Sequence, residues 1–181
     1  DALHWSLALV CFPGGVGDPN RRPAILHLDS LNGQHCLKTI KPLLLSFLEE
    51  EWKEKQKEKQ KAGGSEAGGS SETAEEPGLD LFAKKKMSRA SSTVEVPQQT
   101  NGTDCGLFLL KFVEHALYSA PSTMTKDAIL QVSVDKHGPA PRDRRPVEGL
   151  NKVDFLGKNW FEMETANQLR DVIEEEIVKL F

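Results

Sequence analysis

The sequence predicts an α+β domain, on three observations: two short strand patterns near its start, a long apolar helix beginning at Cys105, and an amphipathic helix at its end. Residues 5–12 (WSLALVCF) are apolar apart from Ser6 and read as a strand buried on both faces. PGGVGDPNRRP (13–23) is loop material, rich in Gly and Pro. Residues 24–29 (AILHLD) form a second strand, closed by Ser30 and the Asn32-Gly33 turn signal. Adjacent strands joined by one loop pair most simply antiparallel, which sets the start of the first beside the end of the second. His4 and Asp29 then become neighbours across the pair.

A helix is predicted from Lys38 to about Lys61, apolar in its first half and a solvated charged run in its second. AGGSEAGGSSETAEEPG (62–78) has no large apolar residue and nothing to offset ordering entropy, so disorder is expected. LDLF (79–82) could dock locally, and KKKMSRASS (84–92) returns to a polar linker. Order resumes at TVEVPQQ (93–99), a strand ended by Pro97, followed by the turn TNGTD. The run 105–119 is helical, with Lys111, Glu114, His115 and Tyr118 as a narrow wet stripe on an otherwise apolar circumference. Residues 120–150 look like a long irregular crossing with basic Arg142, Arg144 and Arg145. The final helix (160–181) has its N-cap at Thr165 or just before, and an apolar stripe of Leu169, Val172, Ile173, Ile177 and Leu180. The chain thus divides into residues 1–52, a low-complexity insertion at 53–92, and residues 93–181.

Composition narrows the function. The apolar fraction of 38% in 181 residues is lean, as the insertion explains. With 23 Lys+Arg against 27 Asp+Glu the net charge is −4, which argues against a general nucleic-acid binder. No apolar run approaches the ~20 residues of a membrane span. Cys11, Cys36 and Cys105 cannot all pair and match no zinc spacing, so no metal is implied and a reducing, intracellular compartment is expected. The chain opens on Asp1 and enters a strand at once, which suggests a partial or processed chain.

Cys105 stands where a turn meets the N-terminus of a buried helix, whose unpaired N–H groups and dipole favour an anion. A thiolate nucleophile needs a base to form and an acid to protonate the leaving amine; histidine does both, and a carboxylate fixes its tautomer. Cys105, His4 and Asp29 fit those roles. A Cys at a helix start is also commonly a small buried residue, and a His at a strand start a merely hydrogen-bonded one, so the residues alone leave both readings open. His27, His35, His115 and His137 compete as the base, although His115 lies about three turns down the helix from Cys105, out of reach. Cys11 and Cys36 read as core fillers, since neither is expected to begin a helix.

His4-Trp5 opening an apolar strand, Asp29-Ser30 closing the next, PQQTNGTDCG (97–106), and NWF before the last helix together resemble the ubiquitin-like-protein (SUMO/sentrin-specific) cysteine proteases, across about two-thirds of the chain. The resemblance implies a papain-like core, with an antiparallel sheet packed on the central helix that begins at the nucleophile. It implies that Cys105 is the nucleophile, His4 the base and acid, Asp29 the orienting carboxylate, and Gln99 an oxyanion donor beside the Cys105 N–H. Trp5 would roof a tunnel for a Gly-Gly tail, where any Cβ would clash; a core aromatic is the alternative. Gln98 would be only a neighbour, Gly106 would permit close packing of the turn, and Asp104 would bond the loop. The N-terminal part of the family's catalytic domain is expected to be missing. The partner implied is SUMO or a SUMO conjugate, with no cofactor, nucleic acid or membrane, and a monomer acting inside the cell, in the nucleus by preference. Three alternatives remain: an inactive or SUMO-binding fragment, a protease for another Gly-Gly modifier such as NEDD8, and an acetyltransferase of the related clan.

Overall fold

The computed structural model describes residues 3–14, 18–31, 33–62, 91–126, 129, 157 and 159–180. Among these residues the elements run in the order β1 (Leu7–Cys11), β2 (Ala24–Leu28), α1 (Leu37–Ala62), β3 (Ser92–Thr93), α2 (Cys105–Ser119) and α3 (Met163–Val178). The expectations for 63–90, KKK included, and those for 130–150 and His137 lie outside the described residues. Among those described, no helix is long and apolar enough to cross a membrane.

β1 and β2 pair antiparallel, with Leu7 opposite Leu28 and Cys11 opposite Ala24. β3 instead joins the other edge of β2 in parallel, Leu26 opposite Ser92 and His27 opposite Thr93. The sheet is therefore mixed rather than antiparallel. A long crossover through α1 separates β2 from β3, so no hairpin constrains their direction. β2 is the central strand and is buried along its whole length. β1 is only half-buried, because it forms an edge and is not the doubly covered strand its composition suggests.

Alternation along β2 divides the core in two. Ala24, Leu26 and Leu28 face Phe108, Phe112 and Ala116 of α2, with Trp160, Phe161 and Ala166 closing that layer. Phe112 packs against both Trp160 and Phe161, at ring centroid distances of 6.3 and 5.8 Å. Ile25 faces the opposite way and packs with Leu45 of α1, bordered by Ala8, Val10, Leu44, Leu48 and Trp52. The sheet thus lies between α1 and the pair α2–α3.

The α2–α3 layer differs in detail from the sequence reading. α2 buries Cys105, Phe108, Phe112 and Ala116 on one face, but Leu110 and Leu117 are exposed, so the wet face is wider than a stripe. His115 lies off that face, packed on Trp160 and Phe161. α3 begins after Glu162, and Thr165 Oγ1 donates to the Glu162 carbonyl (2.7 Å) rather than capping the helix. Only its first half packs closely, for Val172, Ile177 and Leu180 are exposed. α1, Leu37–Ala62, matches the helix expected from Lys38 to about Lys61, with Lys53–Glu50 and Lys57–Glu54 pairs along its charged half.

Candidate active site

Extending the β1–β2 register beyond Leu7 sets His4 across from Leu31, diagonal to Asp29. The two side chains meet there, both buried, with His4 Nε2 2.7 Å from Asp29 Oδ1. Asp29 also accepts the backbone N–H groups of Leu31 (2.9 Å), Gly33 (3.2 Å) and His35 (3.1 Å). Gly33 has φ +104°, a conformation that glycine adopts freely and that turns its N–H into the carboxylate. Burial alone would raise the Asp29 carboxyl. The hydrogen bonds from Leu31, His35 and His4 outweigh it and hold the group below its ordinary value of 3.8.

An ionised carboxylate can only accept, so the His4 nitrogen facing it carries the proton. In the neutral ring His4 Nδ1 then presents a lone pair, and the atom is buried with no hydrogen-bond partner. A carboxylate on one ring nitrogen and an unoccupied lone pair on the other is the arrangement a general base needs. Two further histidines adjoin it. His35 packs at a ring centroid distance of 4.8 Å from His4 and contacts Ser6 Oγ through Nδ1 (2.7 Å). His27 Nε2 reaches the same hydroxyl (3.1 Å). Burial, opposed by the charge of Asp29 and reinforced by His35 and His4, lowers the His27 pKa from 6.5, so this ring stays neutral. Neither competes with His4 for a carboxylate: each engages Ser6 instead.

The chain after β3 brings Gln99 and Cys105 to the same end of the sheet. Val94 N–H donates to His27 O (3.0 Å) and Gln99 N–H to Ser30 O (3.0 Å). The Gln98 side-chain amide donates to Asp29 O and Val96 O, both at 3.0 Å. Gln98 is therefore more than a neighbour; it fastens the Gln99 strand to the main chain of Asp29. The Gln99 side chain is buried, held by Ser30 Oγ at its Oε1 (2.5 Å) and donating Nε2 to Asn101 O (2.7 Å).

Asn101 also organises the turn: its Oδ1 accepts the N–H of Thr103 and of Asp104, both at 3.0 Å, and its Nδ2 donates to Asp104 Oδ2 (2.8 Å). Asp104, buried immediately before Cys105, forms an ion pair with Arg170 of α3. Its carboxylate is taken up by Arg170 and Asn101, and no side-chain hydrogen bond caps α2. Cys105 itself is buried, and no hydrogen bond joins its Sγ to His4 Nδ1.

Three sequence expectations change here. Cys36 is exposed, and its carbonyl accepts the N–H groups of Thr39 and Ile40, so it caps α1 rather than filling the core. The backbone N–H of Lys38, foremost, draws its thiol below the usual 9.0. Gly106 leaves open space where a Cβ would stand, so close packing does not require it. Trp5 is 63% exposed and is no core aromatic. Cys11, by contrast, packs against the core, where burial pushes its thiol up to about 11. Among the described residues no group of three or more His, Cys, Asp or Glu is placed to hold a metal ion.

Residues 1–137 match the Ulp1 protease family, C-terminal catalytic domain. The chain is similar to a probable ubiquitin-like-specific protease 2B of Arabidopsis thaliana, 32% identical over 98% of this chain and 16% of that protein. It is similar to ubiquitin-like-specific protease 1C of the same plant, 30% identical over 99% of this chain and 24% of the relative. It is also similar to human sentrin-specific protease 2, 27% identical over 68% of this chain and 16% of that protein. The chain therefore spans a quarter or less of the length of these curated relatives.

Proposed function

This chain belongs to the Ulp1 protease family, a family of cysteine proteases, and we propose that it hydrolyses the peptide or isopeptide bond after the C-terminal Gly-Gly of SUMO, with Cys105 as nucleophile. The observation that carries this reading is the His4–Asp29 pair, which leaves His4 Nδ1 as a buried lone pair. Support for the substrate comes from the names of the relatives, ubiquitin-like-specific and sentrin-specific proteases.

In the proposed reaction His4 Nδ1 takes the Cys105 thiol proton, and Sγ attacks the carbonyl carbon of the terminal glycine. The resulting oxyanion is met by a Gln99 Nε2–H and the Cys105 N–H. As the C–N bond breaks, the His4 imidazolium returns its proton to the leaving amine, a lysine Nζ in a conjugate. Water, deprotonated by His4, then hydrolyses the thioester and releases the carboxylate and free thiol. Asp29 holds the imidazole throughout. Trp5, exposed next to His4, would lie over the Gly-Gly tail. The three free thiols support a reducing place of action inside the cell, and we retain the nucleus as the preferred one.

A SUMO C-terminal vinyl sulfone tests the assignment in the full-length protein. One adduct is expected at Cys105 and none in Cys105→Ser. His4→Ala should lower turnover of a SUMO–fluorophore substrate by about 10²-fold or more. An adduct that persists in Cys105→Ser would overturn the nucleophile. Faster turnover of NEDD8 than of SUMO would move the substrate to another modifier, and no turnover of either would leave a binding fragment.

A further inference from the structure

We propose that Ser30 is the positioning residue for the oxyanion donor, holding the Gln99 amide in the orientation that the Asn101 carbonyl selects; this rests on the protease reading above. A glutamine amide can turn over end for end, exchanging its C=O and NH2, and its neighbours decide the orientation. On one side of Gln99 stands the Asn101 carbonyl, which can only accept, so Nε2 must face it (2.7 Å). On the other side stands Ser30 Oγ, 2.5 Å from Oε1, which therefore donates. The Asn101 carbonyl excludes the reversed amide, and the Ser30 hydroxyl, by donating to Oε1, holds the orientation so selected. In the reversed state the carbonyl oxygen would meet a second carbonyl oxygen, and an acceptor would point where the oxyanion forms.

Ser30 is equipped for this role. It is fully buried, so water does not compete for its hydroxyl. Its own carbonyl accepts the Gln99 N–H (3.0 Å), so the two residues are registered by main chain as well as side chain. One Nε2–H goes to Asn101, which leaves the second for an incoming oxygen. Ser30 also directly follows Asp29 in sequence. One short segment thus holds the imidazole through Asp29 and orients the oxyanion donor through Ser30.

The experiment compares Ser30→Ala, Gln99→Ala and the double variant in the full-length protein, with a fluorogenic substrate bearing a Gly-Gly modifier. Ser30→Ala is expected to lower kcat by about 10- to 100-fold with KM unchanged, while iodoacetamide alkylates Cys105 at the wild-type rate. The double variant should be no slower than Gln99→Ala alone, because Ser30 acts only through Gln99. Ser30→Cys, which keeps the volume with a far weaker donor, should fall between wild type and Ser30→Ala, and it serves if the alanine variant does not fold. Wild-type kcat in either Ser30 variant, or losses that multiply in the double variant, would overturn the proposal. So would a slowed alkylation of Cys105, which would assign Ser30 to general support of the site. If the wild type cleaves no such substrate, the protease reading fails by itself. The proposal is then read from the Gln99 side-chain amide signals in 15N–1H spectra: a displacement in Ser30→Ala supports it and unchanged signals refute it.

Discussion

Cys11, Cys36 and Cys105 are all free, yet their surroundings separate them by reactivity. Cys11 lies against the core, and its thiol, raised to about 11, is almost wholly protonated at neutral pH. Cys36 is exposed at the start of α1, where the Lys38 and Thr39 N–H groups stabilise its thiolate. Alkylation with iodoacetamide at pH 7 is therefore expected to modify Cys36 well before Cys11, with peptide mass spectrometry as the readout. Modification of Cys11 at a comparable rate would mean that β1 opens from the sheet edge in solution. The same placement sets a control for any thiol assay of the active site: Cys36→Ser should remove the background without touching turnover. Cys36 was illegible in the sequence for a local reason. The helix begins at Leu37, which makes the residue before it a cap rather than a filler.

At the level of elements, α3 is fastened to the nucleophile turn by Arg170. Asp104 is buried beside Cys105, and its carboxylate is shared between Arg170 and Asn101 Nδ2. Removing the cation strands a buried charge, whereas removing the charge leaves a neutral group that Asn101 can still bond. Arg170→Ala is thus expected to destabilise the protein by about 1–3 kcal/mol, discounted for the partial exposure of the guanidinium. Asp104→Asn should destabilise it less. Urea unfolding midpoints decide between them, and equal losses would mean that the ion pair contributes only shape. This clasp explains the limits of sequence reading. The His4–Asp29 meeting was legible because a single hairpin register generates it. Ser30–Gln99 and Arg170–Asp104 join residues 69 and 66 positions apart. They depend on a parallel pairing and a helix docking that no local pattern encodes. The role of Gln98 was hidden for the same reason.

Across the whole molecule the sheet lies between two helical layers, and its polar end concentrates buried titratable groups whose protonation states the fold selects. His27 is kept neutral foremost by burial, and His115, packed on Trp160 and Phe161, is lowered from 6.5 by burial and by Lys111. In the unfolded chain both titrate near 6.5, so as pH falls through that value the unfolded state binds protons that the folded state refuses. Stability is therefore complete above about pH 7 and declines as pH drops from 6.5 towards the lower folded values. Asp29 adds a second stage with the opposite charge. Its folded pKa lies below 3.8, so the stabilisation it brings is present above 3.8 and is lost as pH falls through the folded value. Melting temperatures measured from pH 8 to pH 3 at constant ionic strength should fall in these two steps. His27→Gln is expected to flatten the first step in part, because the amide can still meet Ser6 without a titrating group, and to leave the second intact. A curve flat between pH 7 and pH 5 would show instead that His27 and His115 reach water before the molecule unfolds.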